Sequence, residues 1–380
     1  MSGKKDKYNP FLVKGYDKDI LFCDREKETE QLLNNALNGR DTTLVSPRKY
    51  GKTGLIFHLF DYIERTNKDF ETIYVDLFYT RSLADFIKAL GDALVKLPEH
   101  TSFGQRIAQF FKQLRPILSF DSLTGDPQVS FTYQTEADKE NTLAGILEFL
   151  NNQPKPVLIA LDEFQQVAEY PERMEAMLRG HIQNLHNLHF IFSGSRQALM
   201  TEMFLSPKRP LFSQTSLMTL DKISADKYSA FIKRLFTESN ISITDEALTY
   251  ILEWTRRHTF YTQSLCNKLY SFNPETIDIE VVKKACVDVL EQSESAFMQY
   301  RELLTSIQWK MLIAIAKEGE VTQINSGGFL QKYGISGTTS SRRTIKTLIE
   351  KELVLALPNK KQTVYQVYDV FFSHWLAREF

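Results

Sequence analysis

Eight consecutive residues, Ser46-Pro47-Arg48-Lys49-Tyr50-Gly51-Lys52-Thr53, follow the spacing GxxxxGK[ST], with serine in place of the first glycine. A polyphosphate is held by backbone N–H groups curled around it, a helix N-terminus behind them, a lysine reaching the outer phosphates and a hydroxyl for Mg2+. Gly51, Lys52 and Thr53 suit those roles, and the expected binding stretch is Ser46, Pro47, Arg48, Lys49, Tyr50, Gly51, Lys52, Thr53 and Gly54. A second constellation is Leu158-Ile159-Ala160-Leu161-Asp162-Glu163, an apolar run finished by two acids. A nucleoside triphosphate needs its charge neutralised and an attacking water oriented in line. Asp162 with Thr53 is therefore expected to hold Mg2+, and Glu163 to activate the water. Adjacent acids after a strand would equally cap a following helix. A third segment, Phe192-Ser193-Gly194-Ser195, ends another apolar run and offers Ser193 to the terminal phosphate or the water. Glu163, Lys52 and Ser193 form the expected catalytic set.

These motifs need a particular scaffold, and the flanking patterns supply one. Asp24 is expected to cap a helix over 25–39 with Leu32, Leu33 and Leu37 on one stripe and Gly39 as its stop. Then come a short strand over 41–47, the loop, a helix over 54–65, a strand over 71–79 and a helix over 81–97. Residues 98–136 read as an insertion, with a helix near 105–114 and a hairpin turning at Gly125, Asp126 and Pro127. A helix stopped by Pro154 and Pro156 precedes the apolar strand with the two acids. A helix over 171–186, the strand over 188–195 and a last strand over 216–223 complete a doubly wound parallel sheet.

From Ala225 strands give way to helices, over 225–240, 244–258 and 260–272. Beyond Glu294 the order is a helix over 299–319, a turn containing Gly327 and Gly328, a helix over 340–354 and alternating residues over 361–376. Helices followed by a hairpin are the order of a winged helix. The expected division is thus a core over 1–222, a helical lid over 223–293 and a winged helix over 294–380.

Composition excludes several classes. The 380 residues hold 46 Lys+Arg against 47 Asp+Glu, a net charge of −1, which gives no general attraction to nucleic acid. Cys23, Cys266 and Cys286 lie far apart without a CxxC pair, and the seven histidines form no HExxH, so no disulfide framework and no zinc site are expected. The N-terminal residues carry charge without an apolar stretch behind them, and no run of 18 apolar residues occurs. The expectation is a cytoplasmic chain with no signal peptide and no membrane partner.

Together, the Ser46–Thr53 loop, the LDEF at 161–164, the FSGS at 192–195 and Phe22-Cys23-Asp24-Arg25-Glu26 resemble the prokaryotic AAA+/STAND-type P-loop ATPases often called archaeal-ATPase-like. The resemblance implies an AAA+-like α/β core, a helical lid, a C-terminal winged helix, ATP rather than GTP, and Mg2+. It places an FxxRExE box near adenine, which falls on Phe22, Arg25, Glu26 and Glu28 here. It also suggests an arginine supplied to the phosphates, for which Arg196 and Arg209 are the nearby residues, and a homo-oligomer as one arrangement. The family's lid motif Gly-Gly-x-Pro-Tyr corresponds only to Arg257-His258-Thr259-Phe260-Tyr261. STAND-type relatives offer an alternative reading, a nucleotide-dependent signalling or DNA-associated scaffold with little turnover.

Arg342, Arg343, Lys346 and Lys351 follow Gly337-Thr338-Thr339-Ser340-Ser341 on the helix that would read DNA in a winged domain. Glu350 and Glu352 interrupt that face, which equally suits a solvated surface; a protein partner or DNA is expected there. The aromatic ending, Tyr365, Tyr368, Phe371, Phe372, Trp375 and Phe380, reads as packing of the wing.

Overall fold

The computed structural model describes residues 9–18, 22–66, 69–98, 100–114, 116–122, 124–335, 337–359 and 362–380. It divides into two compact units: Gly15–Lys222, and Ile223–Phe380 with the described part of 1–14.

In the first unit, α1 (Glu26–Leu37) leads to β1 (Thr42–Val45), α2 (Lys52–Arg65), β2 (Glu71–Asp76) and α3 (Leu83–Val95). Next come α4 (Ser102–Leu114), an antiparallel hairpin of β3 (Ile117–Phe120) and β4 (Pro127–Ser130), α5 (Glu136–Asn151) and β5 (Val157–Asp162). A 3-10 turn over Phe164–Glu169, α6 (Met174–Ile182), β6 (Leu188–Gly194), α7 (Gln197–Leu205) and β7 (Ser216–Thr219) complete it. The five-stranded sheet has the order β2-β5-β6-β1-β7 with every pairing parallel. Every residue of β1, β5 and β6 is buried, as expected for central strands covered by helices on both faces. One core layer joins Leu32, Leu33 and Ala36 of α1 to Leu55, Ile56 and Leu59 of α2 and the sheet; the other packs α3, α4 and α5 on the opposite face.

The second unit starts with α8 (Ala225–Glu238), β8 (Ser242–Ile243), α9 (Asp245–Trp254), α10 (Thr259–Ser271), β9 (Thr276–Ile277) and α11 (Ile279–Glu302). It ends with α12 (Ser306–Glu318), α13 (Gly327–Lys332), α14 (Thr338–Glu350), the antiparallel β10 (Val354–Asn359) and β11 (Gln362–Val367), and α15 (Val370–Glu379). The 24-residue α11 runs unbroken through residues 293 and 294. The corner after α9 is bound to the winged part: Arg256 donates to Ser373 Oγ at 2.8 Å, and Trp254 stacks on His374 at 4.3 Å.

Four local expectations are corrected. Asp24 does not cap α1; Arg25 occupies the N-cap with φ 79° and no side-chain capping bond. Leu37 lies outside the buried stripe, where Thr29 and Ala36 join Leu32 and Leu33. Gly327 and Gly328 open α13 rather than form a turn, because Ser326 caps the helix by accepting from Phe329 N. The alternation after Gln362 stops at Val367, where Asp369 caps α15, so Phe371, Phe372 and Trp375 pack from a helix and not from the wing.

Candidate functional site

Strand order decides what meets at the C-terminal edge of the sheet. β6 lies between β1, which releases the 46–51 loop, and β5, which releases the two acids. Val45 pairs with Gly194, Leu161 with Phe192 and Asp76 with Asp162, so loop, acids and the Ser193–Ser195 segment emerge side by side. Open α/β sheets offer this edge to ligands.

The loop is curled by left-handed backbone at Lys49 (φ 63°) and Gly51 (φ 96°), a conformation that costs glycine little. Gly51 is the N-cap of α2, and the helix starts at Lys52. Ser46 fits the place of the usual glycine by turning its buried hydroxyl onto the Pro47 carbonyl, 3.1 Å away. Lys52 is 5% exposed and folds back across the loop, donating from Nζ to Ser46 O at 3.1 Å and Pro47 O at 3.4 Å. Burial pushes its ammonium below the usual lysine range, while Glu163 and Asp162 oppose that shift and Arg48 adds to it. A buried cation bonded to two backbone carbonyls and, at 3.5 Å, to the Ser46 hydroxyl, close to two acids, is placed for an anion with several charges.

Thr53 Oγ1 donates to Asp162 Oδ2 at 2.6 Å. Tyr74 on β2 donates to the same oxygen at 3.0 Å, and the Glu163 N–H donates to Oδ1 at 3.0 Å. A hydroxyl and a carboxylate at this separation are two hard oxygen donors, which fit an ion such as Mg2+ that keeps most of its shell as water and phosphate. Among the described residues no group of three His, Cys, Asp or Glu side chains could hold a metal. Asp76 stands beside Asp162, and burial, with Asp162 and Glu163 nearby, pushes its carboxyl up against the lowering bond from Phe78 N.

Glu163 takes left-handed backbone, φ 53°, and its Oε2 accepts from Ser195 Oγ at 2.8 Å and from Gln165 Nε2. Ser193 Oγ is buried at the end of β6 without a hydrogen-bond partner among the described residues. Arg48 approaches Ser195 Oγ, Nε to Oγ 3.5 Å. Lys49 is exposed and Tyr50 buried.

The N-terminal box lies against the start of α2. Phe22 stacks on His58 with ring centroids 4.3 Å apart, and a Cβ on Gly54 would come within 3.4 Å of its ring. Arg25 is buried, its guanidinium donating to Glu28 Oε1 at 2.6 Å and Asp221 O at 2.5 Å, so it ties α1 to the segment after β7. Arg196 pairs with Glu169, and Arg209 with Glu175 at 2.6 Å. Tyr74, Gln165 and Ser195 were not singled out by sequence reasoning; each reaches an acid only through strand order or the 3-10 turn.

In the second unit Thr338, Thr339, Ser340, Arg342 and Arg343 are exposed at the start of α14. Lys346 lies 3.8 Å from Glu350, and Lys351 donates to Leu303 O at 3.2 Å. No helix among the described residues is long and apolar enough to cross a membrane.

A family model described as "Probable winged helix domain" matches residues 295–378. No curated protein sequence matches the chain. Among solved structures the chain is similar to a Walker-type ATPase of Pyrococcus abyssi, with TM-score 0.66 and 17% identity over 97% of this chain and 99% of that one. It is also similar to the ORC2 protein of Aeropyrum pernix, with TM-score 0.55 and 14% identity over 98% of each chain. At these identities the likeness is one of fold: a parallel α/β core followed by helices and a C-terminal winged helix.

Proposed function

We propose that the chain binds ATP with Mg2+ at the 46–54 loop and hydrolyses it, and that turnover drives conformational change in the helical and winged parts. The observation that carries this reading is the 2.6 Å bond between Thr53 and Asp162, which unites the two motifs at one point. Lys52, now folded onto the Ser46 and Pro47 carbonyls, exchanges them for the outer phosphates; Thr53 and Asp162 hold the ion. Mg2+ supplies charge neutralisation on the phosphates. Glu163 accepts the proton of a water whose oxygen bonds to the γ-phosphorus as the bond to the bridging oxygen breaks, leaving ADP and phosphate. Ser193 offers its hydroxyl to the terminal phosphate or that water. Phe22 and Arg25 border the adenine end, the first as an apolar wall and the second by fixing α1. The named relatives, one an ATPase and one solved with ADPNP and ADP, support the reading.

Glu163→Gln tests it: ATP should still bind and turnover should fall by about 100-fold or more, the size of general-base effects. Turnover at the wild-type rate in that variant would refute the assignment.

A second reading, DNA binding through the winged helix, is favoured by Arg342 and Arg343, which are exposed at the start of α14 beside three hydroxyl side chains. A nucleotide switch with little turnover shares the binding site and differs only in rate.

A further inference from the structure

Glu163 has two carboxylate oxygens with different surroundings. Oε2 accepts from both Ser195 Oγ and Gln165 Nε2, while no hydrogen bond among the described residues reaches Oε1. The two donors come from different elements. Ser195 follows β6, whereas Gln165 stands in the 3-10 turn two residues beyond Glu163.

Gln165 meets an unusual condition to make its bond. It is fully buried, and its Oε1 has no hydrogen-bond partner among the described residues. A buried acceptor without a donor is costly, and such groups persist where the rest of the side chain has a task. Its neighbourhood is also built for it: a Cβ on Gly194 would lie 2.6 Å from Gln165 Oε1 and 2.6 Å from Met200. A side chain at residue 194 would therefore force the amide or the Met200 side chain to shift. Turning the amide over would satisfy nothing, since it would set Oε1 against the Glu163 carboxylate.

We infer that Ser195 and Gln165 are positioning residues that anchor Glu163 by Oε2 and leave Oε1 as the oxygen that takes the proton from the attacking water. This rests on the reading of Glu163 as the base. The anchor confines a side chain that would otherwise sample several rotamers, and holding a reacting group in place is worth a large factor in rate because misplacement by about 1 Å costs about 100-fold. Arg48 of the phosphate loop approaches the same Ser195 hydroxyl, so an occupied loop and the anchored base share one residue.

The test compares steady-state ATP hydrolysis and calorimetric ATP binding in the full chain and its variants. Ser195→Ala and Gln165→Ala should each lower kcat by about 10- to 100-fold while the ATP dissociation constant stays within about twofold. Ser195→Thr, which keeps the hydroxyl, should restore most of the rate. Gln165→Glu, of the same volume, should behave as Gln165→Ala does because it sets one carboxylate against another. Rates unchanged or raised in Ser195→Ala and Gln165→Ala, or a loss that Ser195→Thr fails to restore, would overturn the anchor. A wild type without turnover, or Glu163→Gln with full turnover, would instead refute Glu163 as the base and the anchor with it. Loss in Glu163→Gln but not in the two alanine variants would refute the anchor alone.

Discussion

Two hydroxyls, from Thr53 and Tyr74, converge on Oδ2 of Asp162. Thr53 is proposed to turn to the ion when nucleotide binds, whereas Tyr74, packed on Phe57 with centroids 4.6 Å apart, is fixed in the sheet. Burial and the adjacent Asp162 push its phenol far above the usual range, so it stays a donor at any working pH. Tyr74→Phe keeps the ring and removes one bond to a carboxylate, worth about 1.5–3 kcal/mol. The Mg2+ concentration for half-maximal hydrolysis should rise about tenfold, with ATP binding in the absence of the ion unchanged; an unaltered Mg2+ titration would show that Tyr74 does not orient Asp162. The meeting of Lys52, Thr53, Asp162 and Glu163 was legible in the sequence because each motif is a run of consecutive residues behind an apolar strand. Tyr74 was not, because its contact exists only once β2 lies beside β5 and period-two alternation sets it on the face of Asp162. Arg25 shows the converse: its position was legible, yet its guanidinium is committed to Glu28 and Asp221.

The strands bring these residues together, and their opposite edge holds a charge in an unfavourable place. Asp41, just before β1, is buried and accepts from Phe190 N at 2.8 Å. Burial pushes its carboxyl up to about 7, against the lowering effect of that bond. A carboxyl raised from 3.8 when unfolded to about 7 when folded stabilises the protonated state, so its contribution is lost as pH climbs between those values. The loss is roughly 1.4 kcal/mol per pH unit crossed. Asp41→Asn keeps an acceptor for Phe190 N and removes the titration. Its melting temperature should exceed that of wild type by a margin that grows from pH 4 to about pH 7 and then levels; a margin independent of pH would contradict the burial argument. The alternation of strands and helices in the first unit was legible because long apolar runs and turn residues agree there. Where single residues decide, it was not. Asp24 looked like a cap, but the chain turns through left-handed backbone at both Asp24 and Arg25. Gly327 and Gly328 looked like a turn, yet the Ser326 cap and the burial of Leu330 hold a short helix. The C-terminal aromatics alternate well enough for a strand, and only the Asp369 cap marks the change to a helix whose Phe372 and Trp375 pack against Phe297 of α11.

Across the whole chain the proposed nucleotide site in one unit accompanies a winged helix in the other, and the net charge of −1 confines any nucleic-acid affinity to a local face. If α14 reads a duplex, Arg342→Ala with Arg343→Ala should weaken binding by about tenfold or more and flatten its salt dependence by about two counterions. Duplex affinity and salt slope unchanged by those substitutions would remove that surface from consideration. Such a result would leave the nucleotide reading intact, because the two sites rest on different residues. That reading is tested most directly by calorimetry of ATP and of GTP with Mg2+, on wild type and on Lys52→Ala. Saturable ATP binding by wild type, stronger than GTP and lost in Lys52→Ala, is the expected result; no binding by wild type, or equal binding by the variant, would contradict it.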